Sequence, residues 1–188
     1  LPRLSADLIR SQVSNGARAL VTLTLGLQQE DEGFEEKRLR LLEIYSQILG
    51  TATLIYPGIP ELLQELATAN VAWGISTNKP ALYAEPLLAS IQLQPPHNSL
   101  VCPDHVSQPK PDPEPLLLNC AHLDCTPAEV VYIGDHLRDI EAGRAAGMTT
   151  VAAAYGYIAE NENPAAWGAD AIVHDSRDLH ATIASLLH

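Results

Sequence analysis

Apolar residues recur at helical spacing through residues 1–55. Leu4, Leu8 and Ile9 form one run, Ala19, Leu20 and Leu23 a second, and Leu39, Leu41, Leu42, Ile44 and Ile48 a third. Asn15-Gly16 punctuates the first pair of runs, and the acidic stretch from Gln28 to Glu36, with Gly33, separates the second from the third. No alternating strand pattern occurs there. From Tyr56-Pro57-Gly58 onward, short apolar runs alternate with helical ones. Helices are predicted over 60–68, 81–91, 113–123, 137–146 and 177–187, and strands over 71–76, 99–102, 130–133, 150–154 and 171–173. Short strands separated by helices imply right-handed crossovers and one parallel sheet covered on both faces. The expected architecture is α/β: a doubly wound parallel sheet, a Rossmann-like core over 56–188, preceded by a small helical cap or lid over 1–55 and hinged near Tyr56-Pro57-Gly58.

Composition narrows the function classes. Of 188 residues, 46% are hydrophobic and 18% charged, which suits a folded domain. No uninterrupted apolar run approaches the roughly 20 residues of a membrane-spanning helix, and no signal-peptide run opens the chain, so a cytoplasmic protein is expected. The net charge is −12, with lysines only at 37, 79 and 110. A nucleic-acid partner is therefore not expected, because no basic stripe is present to meet phosphates. Cys102, Cys120 and Cys125 are odd in number and lack metal-ligand spacing, so they read as packing residues in a reducing compartment.

Ligands of doubly wound sheets sit outside the carboxyl ends of the strands. Ser76-Thr77-Asn78-Lys79-Pro80 follows the first predicted strand. A hydroxyl there, flanked by free backbone N–H groups, can hold a phosphate oxygen; alone, the same residues read as an ordinary cap for the next helix. Gln108-Pro109-Lys110-Pro111-Asp112-Pro113 follows the second strand, and its prolines mount Lys110 on a stiff segment suited to facing an anion or, equally, to a rigid exposed loop. Ile133-Gly134-Asp135-His136-Leu137-Arg138-Asp139 follows the third strand. Asp135 opens a helix and Asp139 lies four residues on, on the same face. Two such carboxylates repel one another unless a cation lies close, and their hard oxygens favour Mg²⁺ over zinc; the plainer reading is a helix cap with an incidental second acid.

In order, and each at a strand end, Thr77, Lys110 and the Asp135/Asp139 pair resemble the second, third and fourth motifs of the haloacid-dehalogenase superfamily. Ser-Thr-Asn-Lys-Pro, Pro-Lys-Pro-Asp-Pro-Glu-Pro-Leu, the segment from Tyr132 to Gly147, and Tyr155-Gly156-Tyr157 are similar to the phosphoglycolate phosphatase branch. Within that branch, 15–20, 102–106 and 167–171 resemble the N-acetylmuramic acid 6-phosphate phosphatases. The resemblance implies a Mg²⁺-dependent phosphatase of a small phosphomonoester, working through an aspartyl-phosphate. It implies that Asp135 and Asp139 serve the metal, that Thr77 and Asn78 hold phosphoryl oxygens, and that Lys110 neutralises charge, with Asp139 alternatively orienting Lys110. Both implied substrates carry a carboxylate, which Arg18 on the lid could grip; its plainer role is a surface charge. A phosphomutase would share every one of these core motifs. A dehalogenase would not need the Asp135/Asp139 pair.

The family's first motif, Asp-x-Asp-Gly-Thr, supplies the nucleophile and closes a strand in the middle of the sheet. It does not occur in these 188 residues and is expected ahead of Leu1. Without that strand, the sheet is expected to present two unpaired edges across a slot, filled by an upstream segment or by a partner chain. A non-catalytic binding module is the rival from another class.

Overall fold

The computed structural model describes residues 4–159 and 162–186. Four helices come first: α1 (Ala6–Arg10), α2 (Gly16–Leu25), α3 (Phe34–Ile48) and α4 (Ile59–Thr68). The chain then alternates: β1 (Gly74–Ser76), α5 (Ala81–Ile91), β2 (Ser99–Val101), α6 (Glu114–Leu123), β3 (Val131–Gly134), α7 (Leu137–Ala146), β4 (Thr149–Ala153), β5 (Ala171–Val173) and α8 (Leu179–Leu186). The breaks fall where the sequence placed them. A 3-10 turn over Val13–Asn15 separates α1 from α2, and Gly33 adopts the left-handed conformation just ahead of α3. The predicted last helix starts later than expected, because Ser176–Asp178 forms a 3-10 turn first; its final residue, Leu187, lies outside the described residues.

All strand pairs are parallel, but the expected single sheet is divided in two. β1 pairs with β2, in the register Gly74↔Ser99 to Ser76↔Val101. Separately, β3 pairs with β4 and β4 with β5. The Thr77 N–H donates to Val101 O at 3.0 Å, so Ser76 O, one residue earlier, faces the opposite edge, toward β3. Side chains rather than a ladder span that interval: Ser76 O accepts from Lys110 Nζ at 2.7 Å and from the Tyr132 hydroxyl at 3.3 Å. β1 is also shorter than predicted. The backbone of Trp73 is taken by Asn98, whose side chain accepts from Trp73 N at 3.1 Å and whose N–H donates to Trp73 O at 2.8 Å.

The core explains why the strands read as continuous apolar runs. On β4, the fully buried Val151 packs with Leu62 of α4, Val173 and Leu179. Its neighbour Ala152 faces the other way and packs with Ile140 of α7 and Trp167. Both faces of β4 are thus covered, so Val151, Ala152 and Ala153 are all apolar, while the buried Thr150 hydroxyl donates to Asp170 Oδ2 at 2.8 Å. Burying each large aliphatic chain contributes roughly 1.5–3 kcal/mol, which fixes the strand ends that carry the polar loops. A third cluster, Leu116, Cys120, Ala142 and Met148, joins α6 to α7.

The N-terminal helices meet the α/β part at several points. Tyr56 stacks edge-on against Tyr155 at 4.9 Å between centroids, and Ser176 Oγ donates to Pro57 O at 2.6 Å, so 56–57 is tied to the core. Tyr45 of α3 packs edge-on against Tyr83 of α5 at 5.7 Å, and its hydroxyl accepts from Lys79 Nζ at 2.6 Å. Among the described residues, no helix is long and apolar enough to cross a membrane.

Candidate active site at the carboxyl ends of the strands

Thr77 leaves β1 as a tight turn in which its Oγ1 accepts from Lys79 N at 3.0 Å. That bond uses a lone pair and leaves the hydroxyl proton available to an anion. Asn78 does something the sequence did not suggest. Its side-chain amide makes a reciprocal pair with the backbone of Lys110, Nδ2 donating to Lys110 O at 2.8 Å and Oδ1 accepting from Lys110 N at 3.1 Å. The loops after β1 and β2 are thereby joined at the residue that carries the cation.

Lys110 is 8% exposed. Its three ammonium protons have three acceptors: Ser76 O at 2.7 Å, Tyr132 Oη at 2.9 Å and Asp139 Oδ1 at 2.8 Å. Burial opposes the charge, but Tyr132 and Asp139 outweigh it and hold the Lys110 pKa above the ordinary lysine value. Burial pushes the Tyr132 phenol up to about 12, against the lowering effect of Lys110. At neutral pH the ammonium therefore stays charged and the phenol stays neutral. Tyr132 was not singled out in the sequence, where it reads as one more residue of a buried strand.

Of the two roles expected for Asp139, the structure displays the ion pair with Lys110. Gly134 makes room for it: a Cβ at that position would meet Asp139 Cγ at 2.7 Å. Asp135 faces elsewhere. Its Oδ2 accepts from Tyr157 N at 3.0 Å, and it lies so close to Gly156 that a Cβ there would meet Asp135 Cγ at 2.8 Å. The Tyr155-Gly156-Tyr157 turn thus cradles one carboxylate oxygen by a backbone N–H and leaves Oδ1 without a hydrogen-bond partner among the described residues.

That arrangement bears on Mg²⁺. The described residues hold no cluster of three or more His, Cys, Asp or Glu that could form a complete cage. A single oriented carboxylate with one unengaged oxygen still fits Mg²⁺, which commonly takes one or two carboxylates and completes its shell with phosphate and water. Asp135 is the residue suited to that part.

Arg18 lies apart from these groups. It is exposed on α2 and lines a groove of about 490 Å³ with Gln12, Asn15, Ala19, Thr22, Leu23 and Gln29. Thr77, Asn78, Lys110 and Asp139 are joined through Ser76 and Tyr132, Asp135 stands at the next strand end, and Arg18 makes no hydrogen bond to any of them.

The sequence and the fold both have known relatives. A family model described as haloacid dehalogenase-like hydrolase matches residues 13–153. The chain is 44% identical over 187 residues to the N-acetylmuramic acid 6-phosphate phosphatase of Pseudomonas putida, covering 100% of this chain and 84% of that protein. It is 46% identical over 179 residues to the enzyme of the same name from Pseudomonas aeruginosa, covering 95% and 79%. Identity to the phosphoglycolate phosphatase of Xanthomonas campestris pv. campestris is 35% over 180 residues, covering 95% and 80%. Among solved structures, a predicted phosphoglycolate phosphatase from Haemophilus somnus superposes with a TM-score of 0.84 at 23% identity, covering 97% of this chain and 84% of that one. At that identity the superposition speaks for the fold alone.

Proposed function

The chain belongs to the haloacid dehalogenase-like hydrolase family, and from that premise we propose that it is a Mg²⁺-dependent phosphatase of an amino-sugar 6-phosphate of the N-acetylmuramic acid type. It is a phosphatase of phosphate esters, as its relatives are. The observation that carries the finer reading is the buried, triply bonded Lys110 standing between the Thr77 turn and the Asp135 loop. A cation held so rigidly offers a preorganised positive field, and such groups contribute most to phosphoryl transfer.

In this reading, the Thr77 hydroxyl and the backbone N–H groups beside it hold phosphoryl oxygens. Lys110 offsets charge on phosphate and nucleophile, and Asp139 with Tyr132 keeps its ammonium aimed. Asp135 would hold Mg²⁺, which would supply positive charge to the phosphoryl oxygens. The first aspartate of the Asp-x-Asp-Gly-Thr motif that the family resemblance implies would attack phosphorus in line while the ester P–O bond breaks and the sugar hydroxyl leaves with a proton from the motif's second aspartate. Water would then cleave the aspartyl-phosphate, releasing inorganic phosphate and restoring the carboxylate. Residues 1–55 act as a lid hinged near Tyr56-Pro57-Gly58, with Arg18 toward the substrate carboxylate. The preference for the amino sugar over phosphoglycolate rests on the higher identity to the two Pseudomonas enzymes and on the amide-lined groove around Arg18. Measuring kcat/KM for both compounds on the full-length protein, across a Mg²⁺ titration, tests it. The amino-sugar phosphate should be the better substrate, and activity without divalent cation would overturn the metal-dependent mechanism.

A further inference from the structure

Arg138 has no part in the chemistry outlined above, yet it joins two distant segments. It stands on the first turn of α7, three residues after Asp135 and one before Asp139. Its Nη1 donates to Ser14 O at 3.3 Å and its Nη2 to Asn15 Oδ1 at 3.1 Å, across more than 120 positions of sequence. The fork is steadied from behind by His136, whose Nδ1 accepts from both the backbone N and Nε of Arg138 at 3.2 Å. Its two acceptors belong to adjacent residues at the end of the 3-10 turn that leads into α2. A planar guanidinium can satisfy such a pair at once, whereas an ammonium on a flexible stem satisfies one.

The target residue is placed to pass this contact on. Asn15 is the N-cap of α2, but its side chain bonds no helix N–H. Instead Oδ1 receives Arg138, and Nδ2 donates to Gln12 Oε1 at 3.1 Å. Gln12, Asn15 and Arg18 line the same groove. Whatever fixes Asn15 therefore fixes the start of the helix that carries Arg18.

We propose that Arg138 is a positioning residue that ties the Asp135 loop to the N-terminus of α2, aligning the groove around Arg18 with the phosphate site. The inference rests on reading that groove as the place where the substrate's distal carboxylate binds. It assigns Arg138 to substrate selection rather than to metal binding, although its neighbours in sequence are Asp135 and Asp139.

The test uses the full-length protein and two readouts. Arg138→Ala should raise KM for N-acetylmuramic acid 6-phosphate by roughly tenfold, the scale of a hydrogen bond to a charged group, with kcat within about twofold and the Mg²⁺ midpoint unmoved. Asn15→Ala should reproduce this, and Arg138→Lys should recover part of it. Because Arg138 acts through the helix bearing Arg18, Arg138→Ala should add little to Arg18→Ala in a double-mutant cycle. Independently of activity, hydrogen exchange should speed up in 16–25 and stay unchanged in 131–134. A shifted Mg²⁺ midpoint, a fall in kcat alone, or full additivity with Arg18→Ala would overturn the proposal. Unchanged exchange in α2 would overturn it too. If the wild-type protein hydrolysed neither substrate while α2 still loosened in Arg138→Ala, the substrate reading would fail and the tie would stand.

Discussion

Lys110 Nζ stands 2.8 Å from Asp139 Oδ1, with the two side chains only 7% and 9% exposed. Two opposite charges so far from solvent hold each other in place, and neither is tolerated alone. Breaking such a pair from one side costs about 3–5 kcal/mol, because the remaining charge is left buried. Lys110→Met and Asp139→Asn should each lower the urea midpoint markedly, and the double variant should be less unstable than the two losses summed. Additive losses would mean that the pair is not coupled. In activity, Lys110→Met should cost at least roughly 100-fold in kcat, as removal of one preorganised electrostatic group does. Lys37→Met, on exposed α3, should be nearly silent.

Asp135→Asn keeps shape and removes one negative charge. It should weaken Mg²⁺ activation severely, whereas Asp139→Asn should leave the Mg²⁺ midpoint closer to wild type because its partner is Lys110. A Mg²⁺ titration of full-length activity decides the matter, and an Asp135→Asn enzyme with wild-type metal dependence would remove Asp135 from the metal site.

Gly156→Ala probes the same carboxylate from behind. The new methyl group would press on Asp135 Cγ from 2.8 Å, so the aspartate must move. Overpacking of this kind typically costs 1–3 kcal/mol. The expected outcome is a raised Mg²⁺ requirement, while Gly147→Ala, whose methyl group meets nothing within 4 Å but whose φ of +80° strains an alanine, lowers stability and leaves that requirement unchanged.

The pairing also sets an alkaline limit. The Lys110 pKa is raised, and the Tyr132 phenol is pushed up to about 12 by burial. Folded values above unfolded ones mean that this stabilisation is complete below about pH 10 and drains away as pH rises through the folded values. For the phenol, a rise of about two units corresponds to roughly 3 kcal/mol. Unfolding free energy measured from pH 9 to 12 should therefore fall less steeply in Tyr132→Phe than in wild type. Identical slopes would mean that the hydroxyl is not held in its neutral form by the fold.

Much of this molecule is legible in its sequence for a physical reason. A strand covered on both faces carries an almost unbroken apolar run, so 150–154 announces β4 within a residue of its bounds although its buried Thr150 is polar. Polar residues at the ends of such strands then stand out, as Thr77, Lys110 and Asp135 do. What escaped notice is relational. Tyr132 looks like core until its hydroxyl is seen to reach Ser76 across 56 positions, and Asn98 delays the start of β1 through a side-chain bond that leaves no period-two signal. Arg138 carries no such signal, because its partners Ser14 and Asn15 lie more than 120 positions away.

The reciprocal amide bonds between Asn78 and Lys110 separate a mounting from the tool it carries. Asn78 grips the N–H and C=O of residue 110 and makes no hydrogen bond to its side chain. The loop's path is therefore specified by position 78, and the head group by position 110. An engineer wishing to place another functional group against a bound phosphate could vary residue 110 while keeping Asn78 and expect the backbone to stay where it is. Varying residue 78 would instead unhinge whatever 110 happens to present.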